Sequence, residues 1–105
     1  MDYMWIGTDG SGVCRFDGRE FEVFNKTDGL SGNIVRSLFR DSKDNIWIGT
    51  DRGVTRFDGY KFIQVGEKEG LAGTAVLAIT EDSSGVIWIG TNEKGLFRIE
   101  NKDSR

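Results

Sequence analysis

The ionisable side chains of this 105-residue sequence are 17 carboxylates, 14 lysines and arginines, two tyrosines and one thiol, Cys14, with no histidine. That inventory narrows the chemistry. Histidine is the commonest general base and the commonest neutral metal ligand, so both roles lack their usual carrier. Cys14 has neither a histidine to activate it nor a second cysteine to bond. No paired carboxylates stand apart from repeated positions, so acid–base work on a glycosidic bond has no candidate pair. The expectation is a non-catalytic protein with no cofactor and no metal site.

What remains is binding. Asp28, Asn33, Arg36, Arg40, Arg52 and Lys94 are the candidate contacts for a polar ligand, a sugar or an anion. Asp41-Ser42-Lys43-Asp44-Asn45 is rich in oxygen ligands, but it lacks the alternating acids and the distal glutamate of a calcium loop. A side-chain-capped turn is expected there, with Asp41 and its counterpart Asp82 accepting backbone N–H groups. Asn25-Lys26-Thr27 is a formal glycosylation sequon. Arg15, Arg56 and Arg98 each precede an acid by two residues, at Asp17, Asp58 and Glu100, and are expected to form structural pairs between blades. A net charge of −3 and a pI near 4.9 argue against nucleic acid and anionic membrane as partners.

The frame that must position these groups is a repeat. The tetrapeptide Trp-Ile-Gly-Thr occurs at Trp5–Thr8, Trp47–Thr50 and Trp88–Thr91, and these are all three tryptophans of the chain. The copies are 42 and 41 residues apart. Val13–Gly18 mirrors Val54–Gly59, and Leu96–Asn101 is a degenerate third copy. Asp28-Gly29-Leu30 answers Glu69-Gly70-Leu71, and Ile34–Asp41 answers Ala75–Asp82. Cys14 aligns with Thr55 and Phe97, which marks a tolerant strand position.

Each period reads as four short strands. In the middle copy these are A, Asn33 to Arg40; B, Asn45 to Thr50; C, Gly53 to Asp58; and D, Lys61 to Val65. The A–B and C–D links are hairpin-sized and rich in Asp and Gly. Ile46-Trp47-Ile48 is apolar on both faces, so strand B is covered on both sides. A four-stranded antiparallel meander, repeated every ~42 residues and stacked face to face, is a propeller blade. The fold class is therefore all-β, with about 2.5 blades that do not close as a monomer. Residues 1–32 supply strands B-C-D, 33–73 a full A-B-C-D blade, and 74–105 strands A-B-C. Strand direction places the B–C and D–A loops on one rim and the A–B and C–D hairpins on the other. The tryptophans are expected to pack between blades.

The stretch Asp82 to Thr91 followed by Gly95–Arg98 resembles the two-component regulator propeller repeat, as does Asp41 to Thr50 followed by Gly53–Asp58. The pairs Gly29-Leu30 and Gly70-Leu71 fit the same pattern. The resemblance implies the extracytoplasmic, ligand-sensing part of a bacterial hybrid histidine kinase or diguanylate cyclase, with carbohydrate-derived ligands. By the same resemblance the location is periplasmic or extracytoplasmic, although the N-terminal residues lack signal-peptide character. An alternative is a lectin-like homo-oligomer that assembles a ring from short chains and binds glycans. Incomplete blades leave strand edges and apolar faces open. Self-association, or pairing with the remaining blades of a larger sensor, is the expected partnership, with no membrane contact by this segment.

Overall fold

The computed structural model describes residues 3–100. Ten strands form in chain order: β1 Met4–Gly7, β2 Val13–Phe16, β3 Phe21–Phe24, β4 Val35–Arg40, β5 Ile46–Thr50, β6 Gly53–Phe57, β7 Phe62–Val65, β8 Val76–Glu81, β9 Val86–Thr91 and β10 Leu96–Glu100. They make three antiparallel meanders, β1-β2-β3, β4-β5-β6-β7 and β8-β9-β10. Each strand of the middle copy lies inside its expected run, trimmed by one or two residues at the ends. The one departure from all-β reading is a 3-10 turn at Lys26–Asp28, capped by Asn25.

Register repeats between copies. Phe39 stands opposite Trp47 and Leu38 opposite Ile48, while Thr80 stands opposite Trp88 and Ile79 opposite Ile89. Both inner strands carry an irregularity at the same place, Val35/Ser37 and Val76/Ala78. Such a bulge adds local twist.

The apolar core is divided into two layers, each between neighbouring sheets. Trp5, Val13, Phe24, Leu30, Val35, Leu38, Ile46, Ile48, Phe57 and Phe62 fill the first. Trp47, Val54, Leu71, Val76, Ile87, Ile89 and Ile99 fill the second, and Trp47 is fully buried in it. Trp5 and Trp47 thus pack between blades, as their burial area favours, whereas Trp88 joins neither layer and is only partly buried. Gly29 and Gly70 adopt φ of 115° and 96°, which turns the chain so that Leu30 and Leu71 enter these layers.

Close approach between blades depends on the glycine of Trp-Ile-Gly-Thr. A Cβ on Gly49 would collide with Ser37 Oγ and lie 2.6 Å from Val76 Cγ1 of the next sheet. Gly7 meets Val35 of its neighbouring sheet in the same way. Gly90 has only Ala78 nearby, at 3.9 Å, because no described sheet lies on that side. The ring is open.

Candidate functional site

Both kinds of loop expected on one rim meet there. The carbonyl of Asn33, in the link from β3 to β4, accepts N–H bonds from Gly10 and Gly12 at 3.2 and 2.8 Å. Val35 N–H reaches Thr8 O at 2.8 Å, and Asp51 N–H reaches Ile34 O at 3.0 Å. The next junction copies this: Gly73 N–H bonds Arg52 O at 3.0 Å, and Asn92 N–H bonds Ala75 O at 3.1 Å. Each link between sheets is thereby stitched to the B–C loops on either side. The rim is a row of loops fixed in large part by backbone.

The threonine that ends Trp-Ile-Gly-Thr holds each B–C loop closed. Thr8, Thr50 and Thr91 donate to Gly12 O, Gly53 O and Gly95 O at 2.6, 3.1 and 2.7 Å. The same oxygens accept N–H bonds from Ser11, Arg52 and Lys94 at 3.0, 3.1 and 3.0 Å. In the middle sheet the hydroxyl joins a buried chain. Thr55 Oγ1 donates to Ser31 Oγ at 3.0 Å, and Ser31 Oγ lies 2.8 Å from Thr50 Oγ1. The position of the threonine directly before each loop was the available sequence signal for this role.

Arg36, Arg52 and Lys94 are exposed on or beside this rim. Arg52 Nε stands 3.9 Å from Asp51 Oδ2, and Asp51 Oδ1 is buried without a hydrogen-bond partner. Asp28 and Asn33 lie on the same rim but serve the chain itself. Asp28 Oδ2 accepts the Asn25 N–H at 2.9 Å, and Asn33 Oδ1 accepts the Lys26 N–H at 2.8 Å. Arg40 stands apart. It pairs in register with Ile46 at the hairpin end of β4, four residues from Arg36, or about 13 Å along a strand. The fold therefore gathers Arg36, Arg52 and Lys94 with the two structural residues and sends Arg40 to the opposite rim.

That opposite rim is built from aspartate-capped turns. Asp41 Oδ1 accepts N–H bonds from Lys43 and Asn45, both at 2.9 Å, and Oδ2 accepts the Trp47 indole at 2.7 Å. Burial works against ionisation of Asp41, but these bonds outweigh it and hold its pKa below the ordinary value. The Trp88 indole and turn N–H groups lower Asp82 likewise. Asp17 and Asp58 are lowered chiefly by backbone N–H bonds, from Glu20 and Arg19 and from Lys61 and Tyr60. The sequon asparagine, Asn25, accepts the Thr27 N–H at 2.9 Å as a cap.

The arginine pairs differ from expectation. Arg98 does meet Glu100, at 3.3 Å, but within one strand and exposed. Arg15 bonds Glu22 on β3, its register partner, with Nε–Oε1 at 3.0 Å, and its guanidinium lies over Tyr3 at 4.2 Å. Arg56 faces Ile63 in that register, so its Nε is buried without a partner, 6.0 Å from the Trp47 ring by its guanidinium carbon. Asp17 and Asp58 are unavailable because they cap turns.

One four-stranded and two three-stranded antiparallel meanders packed in sequence, with a loop-bearing rim and an aspartate-turn rim, define a β-propeller segment. Residues 29–52 and 70–93 match the model of the two component regulator propeller. Those two stretches are similar to repeats of that family. Histidine kinase P4 of Formosa agariphila is 38% identical over 53 residues, which is 45% of this chain and 4% of that protein. Among solved structures, the extracellular domain of the one component system BT4673 from B. thetaiotaomicron superposes with a TM-score of 0.77 at 25% identity, over 93% of this chain and 15% of that one. The extracellular domain of the hybrid two component system BT3049 from the same organism gives 0.74 at 29% identity, again over 93% and 15%. The chain thus spans about 15% of the length of those structures. No described helix is long and apolar enough to cross a membrane.

Proposed function

We propose that this chain is a non-catalytic recognition segment of an extracytoplasmic sensor, and that it contributes one stretch of the ligand-bearing rim of a larger propeller. The observation that carries the reading is the rim itself. Three B–C loops and two sheet-to-sheet links are locked by backbone bonds and threonine hydroxyls, while Arg52 and Lys94 remain exposed on the loops and Arg36 is exposed near the start of β4 beside them. The likeness to extracellular domains of one- and two-component systems supports the sensor class. A carbohydrate-derived ligand with hydroxyl or carboxylate groups suits exposed guanidinium and ammonium donors.

Calorimetric titration with neutral and acidic oligosaccharides tests this. Binding that weakens about tenfold in Arg36→Ala and Arg52→Ala, and is unchanged in Lys61→Ala on the other rim, is the expected result. Binding indifferent to both arginines contradicts it. Solution mass at rising concentration reports the separate proposal that the open faces drive self-association.

A further inference from the structure

The two sheet-to-sheet links on the rim share a backbone pattern but not its side-chain support. In the first link the N–H groups of Asp28, Gly29 and Leu30 bond the carbonyls of Asn25, Lys26 and Asn25 at 2.9, 3.1 and 3.3 Å. In the second, Glu69, Gly70 and Leu71 bond Gly66, Glu67 and Gly66 at 3.2, 3.2 and 2.9 Å. Leu30 and Leu71 are 1% and 0% exposed, so a buried leucine anchors each link.

The first link is also pinned by its side chains. Asn25 Oδ1 accepts the Thr27 N–H at 2.9 Å, Asp28 Oδ2 the Asn25 N–H at 2.9 Å, and Asn33 Oδ1 the Lys26 N–H at 2.8 Å. Ser31 fastens the link to β6, its N–H reaching Thr55 Oγ1 at 2.9 Å. In the second link Gly66, Glu69, Ala72 and Thr74 stand at the positions of Asn25, Asp28, Ser31 and Asn33, and Phe97 stands at that of Thr55. Among the described residues, the side-chain bond of the second link is from Thr74 Oγ1 to Gly70 O, long at 3.4 Å. A capping side chain has no room at Gly66, where φ is 84° and a Cβ would collide with Leu71. Glu67, Lys68 and Glu69 are exposed, and the Gly73 N–H ties this link to Arg52 O at 3.0 Å.

We propose that residues 66–70 form a flap of the rim, which opens locally about Gly66 and Gly70 while Leu71 stays seated, and that a ligand held at Arg52 closes it. The first link is the fixed counterpart. Segments with few supporting contacts open at low free energy, and a ligand that prefers the ordered form shifts the population toward it. The closing step rests on the reading of this rim as ligand-bearing, and the opening step does not.

Amide hydrogen exchange of the full 105-residue chain, read residue by residue by NMR, tests both steps. After correction for intrinsic rates, Glu69, Gly70 and Leu71 should exchange about tenfold or more faster than Asp28, Gly29 and Leu30. Reciprocal variants separate pinning from blade packing. Asn33→Thr should speed the first link about fivefold, and Thr74→Asn should slow the second by a similar factor, by giving the Glu67 N–H an acceptor. Glu69→Asp, at an exposed position, offers an acceptor to the Gly66 N–H and should act in the same direction even where Thr74→Asn fails to fold. With oligosaccharide bound, protection should rise at Glu69–Leu71 and stay level at Asp28–Leu30. Equal protection of the two links in the free chain, or a difference that none of the variants alters, overturns the proposal. Bound oligosaccharide that leaves Glu69–Leu71 unprotected overturns the closing step. Failure of every oligosaccharide to bind counts against the rim reading alone, and the free-chain rates still decide the flap.

Discussion

The Asp41 carboxylate accepts a 2.7 Å hydrogen bond from the indole of Trp47, six residues on and fully buried in the layer between two blades. The same side chain gathers the amides of its own turn. One carboxylate thereby couples the shape of an outer hairpin to the packing of an inner core. Asp82 and Trp88 repeat the arrangement at 2.9 Å, on a sheet whose far side is open.

Removing the charge at Asp41 tests that coupling. Asp41→Asn keeps one acceptor oxygen, which cannot serve the indole and both turn amides together. A loss of about 1–3 kcal/mol in unfolding free energy is expected, from buried donors left unpaired. Asp82→Asn should cost less, because its indole partner is partly exposed. Urea titrations of the two variants against the parent check the order.

Acid should act through the same groups. Asp41, Asp82, Asp17 and Asp58 all have pKa values below the ordinary 3.8 in the folded chain. A carboxylate depressed on folding contributes stability above its unfolded pKa, and that contribution is lost as pH falls through the folded value. The urea midpoint should therefore hold level from pH 7 to about 5 and fall steeply below about 4. The acid limb should be shallower in Asp41→Asn. A flat profile down to pH 3 contradicts the assignment.

Blade spacing makes a second kind of prediction. Gly49→Ala puts a methyl against Ser37 Oγ and Val76 Cγ1 and should cost about 1–3 kcal/mol by overpacking. Gly90→Ala meets only Ala78 at 3.9 Å and should leave stability unchanged or slightly raised. Thermal melts of the two variants, identical in chemistry, isolate the effect of a neighbouring blade.

The threonine latch predicts a loss without change of shape. Thr50→Val keeps the volume but removes the hydroxyl partner of Ser31 Oγ, the Arg52 N–H and the Gly53 carbonyl in a largely buried setting, Ser31 Oγ keeping only its bond from Thr55. About 1–3 kcal/mol is expected, with exchange of the Arg52 amide accelerated. Thr91→Val, on an exposed loop, should cost little.

Much of this frame was legible in the sequence because it repeats. A tryptophan, a glycine and a threonine at constant spacing fixed strand B. Asp- and Gly-rich links fixed the hairpins, and alternation of strand direction assigned the rims. What escaped were contacts whose partners are distant or differ between copies. Arg15 was matched to Asp17 by proximity, yet its partner is Glu22, brought opposite by register. The bond from Asp41 to Trp47 was hidden because a turn motif accounts for the aspartate without the indole, although the constant six-residue spacing of both pairs carried the information. Among the ligand candidates, Asp28 and Asn33 were legible as loop residues. That they cap and pin their own segment emerges only when the 3-10 turn and the link fold together.

The central claim is that recognition belongs to the rim of B–C loops and sheet links. An NMR titration of the labelled chain with the tightest-binding oligosaccharide tests it most directly. Shifts confined to Thr8–Gly12, Thr50–Gly53, Thr91–Gly95 and the link around Asn33 are predicted. Shifts confined to the hairpins at Asp17–Arg19, Ser42–Asn45 and Gly59–Tyr60 contradict it.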